Sequence, residues 1–128
     1  MDVDIVLQLE RENVMRAMKA LEAIDYQPSV PVKATDFADP EKRRHWIEEK
    51  NMIVFQMRRS DPESPRLDIF ISEPFSFSQE YERVFWDELH GVRVPIVCYD
   101  GLIRLKRSSG RPQDLADIAQ LELIKGEK

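Results

Sequence analysis

The sharpest chemical pattern in this sequence is a set of three aspartates. Asp2 and Asp4 stand two positions apart in Asp2-Val3-Asp4-Ile5-Val6-Leu7. On a strand that spacing points both carboxylates to one face. Asp68 lies in a second strand-like run, between Leu67 and Ile69. A carboxylate in so apolar a segment is costly to bury unless it is neutralised, paired or bound to a cation. Three carboxylates converging from two adjacent strands would hold a divalent cation. Mg²⁺ suits such a set, because it prefers oxygen ligands and keeps positions open for substrate phosphates. A plainer reading stands beside this one: Asp2 and Asp4 are solvated, and Asp68 pairs with Arg58 or Arg66.

A second cluster, Arg104, Lys106, Arg107 and Arg111, has the charge to meet a triphosphate. Its alternative is a solvated helix face. Asp114 and Asp117 fall in or near the first turn of the last helix, where the helix dipole accounts for acids. Cys98 ends an apolar run and reads as a small buried residue rather than a nucleophile. There is no Gly-x-x-x-x-Gly-Lys or Gly-x-Gly-x-x-Gly loop and no spacing that supports a Ser/His/Asp triad.

Alternating and helical periodicities supply the elements that must position these groups. Residues 2–7 read as a strand, and residues 10–24 as a helix with Val14, Ala17, Met18, Leu21 and Ile24 on its apolar stripe. A loop at 28–38 leads to Asp39-Pro40, an N-cap with proline at the first helical position. The short charged helix at 41–50 has Trp46 and Ile47 as its anchors. Residues 52–57 and 67–71 are strands joined by the turn-rich 60–65, hence an antiparallel hairpin. Ser78 opens a helical stretch to Phe85. His90-Gly91 turns between two short strands, the second being 92–97. Helices follow at 100–108 and from Pro112, the last with Leu115, Ile118, Leu121 and Leu123 or Ile124 inward. The aromatics Trp46, Phe55, Phe70, Phe75, Phe77, Tyr81, Phe85 and Trp86 read as core. The class is α+β with a mixed sheet and flanking helices.

Composition bounds the rest. A chain of 128 residues has the length of one domain, and it should bury about two-thirds of its unfolded surface on folding. Twenty-four acidic against 19 basic residues leave a net charge of −5, which argues against a protein that coats nucleic acid. One cysteine and two histidines exclude an internal disulfide and a Cys/His zinc site. No apolar run is long enough to span a membrane, and Met1-Asp2-Val3-Asp4 is not a secretory leader. The expected location is cytoplasmic, with no membrane partner.

The order of these features resembles the minimal nucleotidyltransferases of the DNA polymerase beta superfamily, in the group of AbiEii-like toxin nucleotidyltransferases. Asp2-Val3-Asp4-Ile5-Val6-Leu7 resembles that family's Asp-x-Asp strand, and Arg66-Leu67-Asp68-Ile69-Phe70-Ile71 its strand with the third carboxylate. Asp100-Gly101-Leu102-Ile103-Arg104-Leu105-Lys106 and Gly110-Arg111-Pro112-Gln113-Asp114-Leu115-Ala116-Asp117-Ile118 resemble its C-terminal block. The resemblance implies a nucleotidyltransferase-like domain over residues 1–128. It would transfer a nucleoside monophosphate from a nucleoside triphosphate to a protein, RNA or small-molecule acceptor. Asp2, Asp4 and Asp68 would be the catalytic residues and Mg²⁺ ligands, and Lys106 the triphosphate contact. The family carries a Gly-Gly or Gly-Ser motif before the Asp-x-Asp strand. Here that strand begins at residue 2, so the expectation is an N-terminally truncated relative, a start assigned too late, or a missing piece supplied by another polypeptide. The alternative function is a catalytically inert binding module, part of a toxin–antitoxin pair. Lacking a covering helix, residues 1–7 are expected to self-associate or to meet a partner protein.

Overall fold

The computed structural model describes residues 2–126, with side chains as far as Leu123. The fold is α+β, and it divides into two compact units, Met1–Glu73 and Pro74–Lys128.

The first unit is a four-stranded mixed sheet with helices on its apolar face. Its strands are β1 (Asp2–Ile5), β2 (Gln27–Pro28), β3 (Val54–Arg58) and β4 (Arg66–Phe70), in the order β1-β4-β3-β2. β1 runs parallel to β4, and β3 is antiparallel to both β4 and β2, so the expected hairpin of β3 and β4 is present. β1 stops at Ile5, two residues short of the expected end. Alternation divides the sheet. Ile5, Phe55, Met57, Leu67 and Ile69 point toward α1 (Arg11–Ala23), a 3-10 turn at Ala34–Ala38 and α2 (Pro40–Lys50). Val14 and Met18 of α1 and Phe37 of the 3-10 turn complete that core. Phe55 is its centre, with ring centroids 4.9 Å from Phe37 and 5.4 Å from a stacked Trp46.

α2 begins as the sequence indicates: the Asp39 side chain accepts from Glu41 N at 2.9 Å, and Pro40 opens the helix. Its inner face differs from expectation. Trp46 is buried but Ile47 is exposed, and the second inward residue is Arg43, whose guanidinium donates to Phe37 O and lies over the Phe37 ring. Arg43 and Trp46, three residues apart, flank the buried face, and Ile47, one position beyond Trp46, lies at its margin. Desolvation pulls the Arg43 pKa below its ordinary value. Ile24, at the end of the α1 stripe, is also exposed, because the helix ends at Ala23.

The second unit holds α3 (Phe77–Tyr81), a hairpin of β5 (Phe85–Leu89) and β6 (Val92–Ile96), α4 (Tyr99–Ser109) and α5 (Pro112–Gly126). The hairpin turns on His90 and Gly91, both at positive φ (51° and 81°), as a two-residue turn with matching twist requires. Phe85, Trp86 and Tyr81 are not core: Phe85 is 68% exposed and the other two are exposed as well. Phe85 pairs with Ile96 and Leu89 with Val92 across the ladder, leaving an apolar stripe on one hairpin face. In α5 Ile118 is buried, whereas Leu115 and Leu123 are exposed; the side chain at 124 lies outside the described residues.

The first unit's core yields a direct comparison. Phe55→Ala should destabilise the protein by about 3–5 kcal/mol, as large truncations in packed cores do. Ile24→Ala, at an exposed position, should cost under about 0.5 kcal/mol. Urea denaturation of both variants measures the difference, and similar midpoints would contradict the assigned core.

Candidate functional site

The acid face of the first unit follows from strand register. In the parallel pair Asp2 is the partner of Arg66 and Asp4 of Asp68, so these four side chains share the face opposite the core. Neighbouring strands lie about 4.8 Å apart, which brings the Asp4 and Asp68 carboxylates within reach of one another. On β3 Gln56 is the partner of Asp68, and its amide donates to Asp68 Oδ1 at 3.2 Å. Arg58 in turn donates to Gln56 Oε1 at 3.2 Å and to Ser29 Oγ at 3.0 Å. A polar row thus crosses the sheet from β1 to the residue after β2. Asp68 is only 3% exposed, while Asp2 and Asp4 are exposed.

These acids are not equivalent. Both Asp2 oxygens accept from Arg66, at 3.0 and 3.3 Å, so Asp2 is held as a fork-to-fork ion pair. The pairing of Asp68 with Gln56 is one that charge reasoning overlooked, since an amide carries no charge to signal it. The donor chemistry of Asp4 and Asp68 is all carboxylate oxygen, which suits a hard cation such as Mg²⁺. Among the described residues, no three acid, histidine or cysteine side chains stand as a group that could hold a metal ion. A cation here would have to rest on the Asp4–Asp68 pair. That number is sufficient, because Mg²⁺ is often held by one or two carboxylates together with substrate phosphates.

Lys106, in the second unit, is the central cation of a corner between α4 and α5. Its Nζ is 3.0 Å from Asp117 Oδ2 and 3.5 Å from Asp114 Oδ1. Asp114 is 2% exposed and also accepts from Ser109 Oγ and, at 2.6 Å, from Arg111 Nε. Gly110, at φ 65°, ends α4 in the left-handed conformation, and Pro112 starts α5. The residues Gly110, Arg111, Pro112 and Asp114 thus have a local structural purpose: glycine turns the chain, proline opens the helix, and the aspartate ties both helices together. Dipole compensation alone is too small an account of Asp114. The basic cluster also divides: Lys106 and Arg111 serve this corner, whereas Arg104 and Arg107 face a separate cleft beside α3.

Glu80 is the other buried acid of the second unit among the described residues. Arg104 Nε donates to its Oε1 at 2.6 Å. Gly101 makes room for it, since a Cβ there would lie 2.7 Å from Glu80 Oε2 and 2.5 Å from Val97 Cγ2. Cys98 is half-buried and caps α4, its sulfur accepting from Gly101 N at 3.4 Å. No described helix is long and apolar enough to cross a membrane. Compared with known proteins, the chain matches no family model, no curated protein and no solved structure.

The Asp114 corner sets a pH dependence. Burial pushes its carboxyl up, but the hydrogen bonds from Ser109 and Arg111, with the charges of Arg111 and Lys106, outweigh this and hold it below the usual carboxylate range. A depressed folded pKa contributes stability above the unfolded value near ~3.9, and that contribution is lost as pH falls through the folded pKa. Urea midpoints should therefore fall below about pH 4. Asp114→Asn should flatten that fall and cost about 3 kcal/mol at neutral pH, because Lys106 and Arg111 lose their charged partner. An unchanged midpoint in Asp114→Asn would contradict the corner.

Proposed function

We propose that the chain is a nucleotidyltransferase-like protein whose acid face binds a nucleoside triphosphate with Mg²⁺ and passes a nucleoside monophosphate to a hydroxyl of a protein, RNA or small-molecule acceptor, with the α–β phosphoanhydride bond broken and pyrophosphate released. The observation that carries this reading is the in-register placement of Asp4 opposite Asp68 on one face of the parallel pair. Those two carboxylates would hold the ion, and Asp2 joins them only by leaving Arg66. The bound ion supplies charge neutralisation at the phosphoryl oxygens. The chain's residues supply the rest. Asp68, buried and oriented by the Gln56 amide, is suited to take the proton of an acceptor hydroxyl. Arg66 keeps a guanidinium beside Asp2 on the same face as the acids, where it offsets their negative charge toward a phosphate. A nucleotidyltransferase-like fold and a cytoplasmic location belong to the same proposal.

A second reading is favoured by two specific contacts. Arg66 holds Asp2, and Asp114 and Asp117 hold Lys106, so both groups have protein partners already. A catalytically inert binding module, as in a toxin–antitoxin pair, would keep these contacts permanently. The edge position of β1, with Val3 40% exposed, supports self-association or a partner protein at that strand.

Thermal melts with millimolar Mg²⁺, with each nucleoside triphosphate and with both together separate the readings. An active site predicts a rise of several degrees only with both ligands, by mass action, and label transfer from an α-labelled triphosphate to the protein or to added RNA. Asp68→Asn should abolish both responses. Absence of any shift and of any transfer in the wild type would overturn the transferase reading in favour of the inert module.

A further inference from the structure

The second unit contains a cleft of about 590 Å³ between the α3 region and α4. That volume lies in the range of small-molecule sites. Its polar lining comes from Gln79, Arg83 and the carboxylate of Glu80 on one side and Arg104, Arg107 and Ser108 on the other, with Ser76 at the mouth of α3. Three guanidiniums converge on one cleft in a chain whose net charge is −5. Arg104 and Arg107 are three residues apart on α4, and Ser108 follows Arg104 by four, so one helical face presents all three.

The guanidiniums are held to different degrees. Arg104 is fixed by the buried Glu80, whose carboxylate takes its Nε and Nη2 hydrogens, and Gly101 lets Glu80 lie against the first turn of α4. Arg107 pairs with Glu122 at 3.2 Å, but both side chains are more than half exposed, and such a pair is weak. The Arg83 guanidinium makes no ion pair among the described residues. Glu80 neutralises Arg104 and Glu122 offsets Arg107 only weakly, so the excess of positive charge rests on Arg83 and in part on Arg107.

We propose that this cleft binds a small molecule carrying two or more linked phosphoryl groups. The argument is one of donor supply. Arginine donates and never accepts, and the serine hydroxyls and the Gln79 amide add further donors. A single carboxylate carries one charge and offers two oxygens in one plane, too little to neutralise guanidiniums on both sides of a cleft. Linked phosphoryl groups present acceptor oxygens in several directions and carry enough charge for Arg83, Arg104 and Arg107 together. Arg104 is the preset contact, and Arg83 and Arg107 close on the ligand from either side. The inference stands on the second unit alone and does not require the acid face of the sheet.

Isothermal titration of the full chain in EDTA, with pyrophosphate, ATP and inorganic phosphate as probes, tests it. Saturable binding of pyrophosphate or ATP at micromolar concentration is expected, with inorganic phosphate at least tenfold weaker. ATP binding tighter than pyrophosphate identifies a nucleotide as the source; equal affinities identify the diphosphate group itself. Arg83→Gln and Arg107→Gln leave no buried carboxylate unpaired, so both should fold, and each should weaken binding about tenfold or more. Arg16→Gln, an exposed charge on α1, should leave it unchanged. No saturable binding below millimolar, or an equal loss in Arg16→Gln, would overturn the proposal. So would ATP binding that requires Mg²⁺, disappears in Asp68→Asn and survives in Arg83→Gln; that result would leave the acid-face reading standing.

Discussion

The parallel pairing of β1 with β4 in one register is the constraint on which the sheet unit depends. Side chains alternate with a strict period of two, so a slip of one residue would turn Ile5 away from the core and drive Asp4 into it. Burial of Leu67, Ile69 and Ile5 against Val14, Met18 and Phe37 therefore fixes the register. The acids are placed as a consequence. Asp4 meets Asp68, and Asp2 meets Arg66, because the apolar residues between them must face the helices. The candidate chemistry is thus a by-product of ordinary core packing, and it costs the fold one buried carboxylate, Asp68, for which Gln56 provides a hydrogen bond.

The second unit is organised by two buried acids. Glu80 anchors Arg104 beside a cleft, and Asp114 gathers Ser109, Arg111 and Lys106 at the α4–α5 corner. In both cases a carboxylate with little access to water is tolerated because several donors converge on it. The same logic explains why the basic residues of α4 do not act as one patch. Leu105 and Ser109 lie four apart on the buried face, and this phase sends Lys106 toward α5 and Arg104 and Arg107 toward α3.

The sheet unit was more legible in the sequence than the helical one. Alternation in Arg66-Leu67-Asp68-Ile69-Phe70 and β-branched residues around Phe55 are local signals, and they located β3, β4 and their hairpin. Period two also put Asp2 and Asp4 on one face, and the pairing of β1 with β4 adds Asp68 to it. Helical phase was harder to read. The inward face of α5 runs through Asp114 and Ile118, so its first position is an acid, and hydropathy selected the exposed Leu115 instead. In α2 an arginine, Arg43, takes an inward position that apolar reasoning gave to Ile47. The pairings of Asp68 with Gln56 and of Arg104 with Glu80 join residues 12 and 24 positions apart, and no local pattern reports them. The aromatic hairpin misled for the opposite reason: Phe85 and Trp86 carry the composition of a core strand on a two-stranded ribbon that leaves them exposed.

The central claim is that Asp4 and Asp68 together form a divalent-cation site. Mn²⁺ shares the oxygen preference of Mg²⁺ and reports its own binding through loss of the free ion's electron paramagnetic resonance signal. Titration of the wild type with Mn²⁺ in the presence of a nucleoside triphosphate analogue, against Asp4→Asn and Asp68→Asn, is the most direct measurement. The account predicts saturable Mn²⁺ uptake by the wild type beyond that of the analogue alone, displaced by excess Mg²⁺ and lost in both variants. Uptake equal in all three proteins, or none in the wild type, would contradict it.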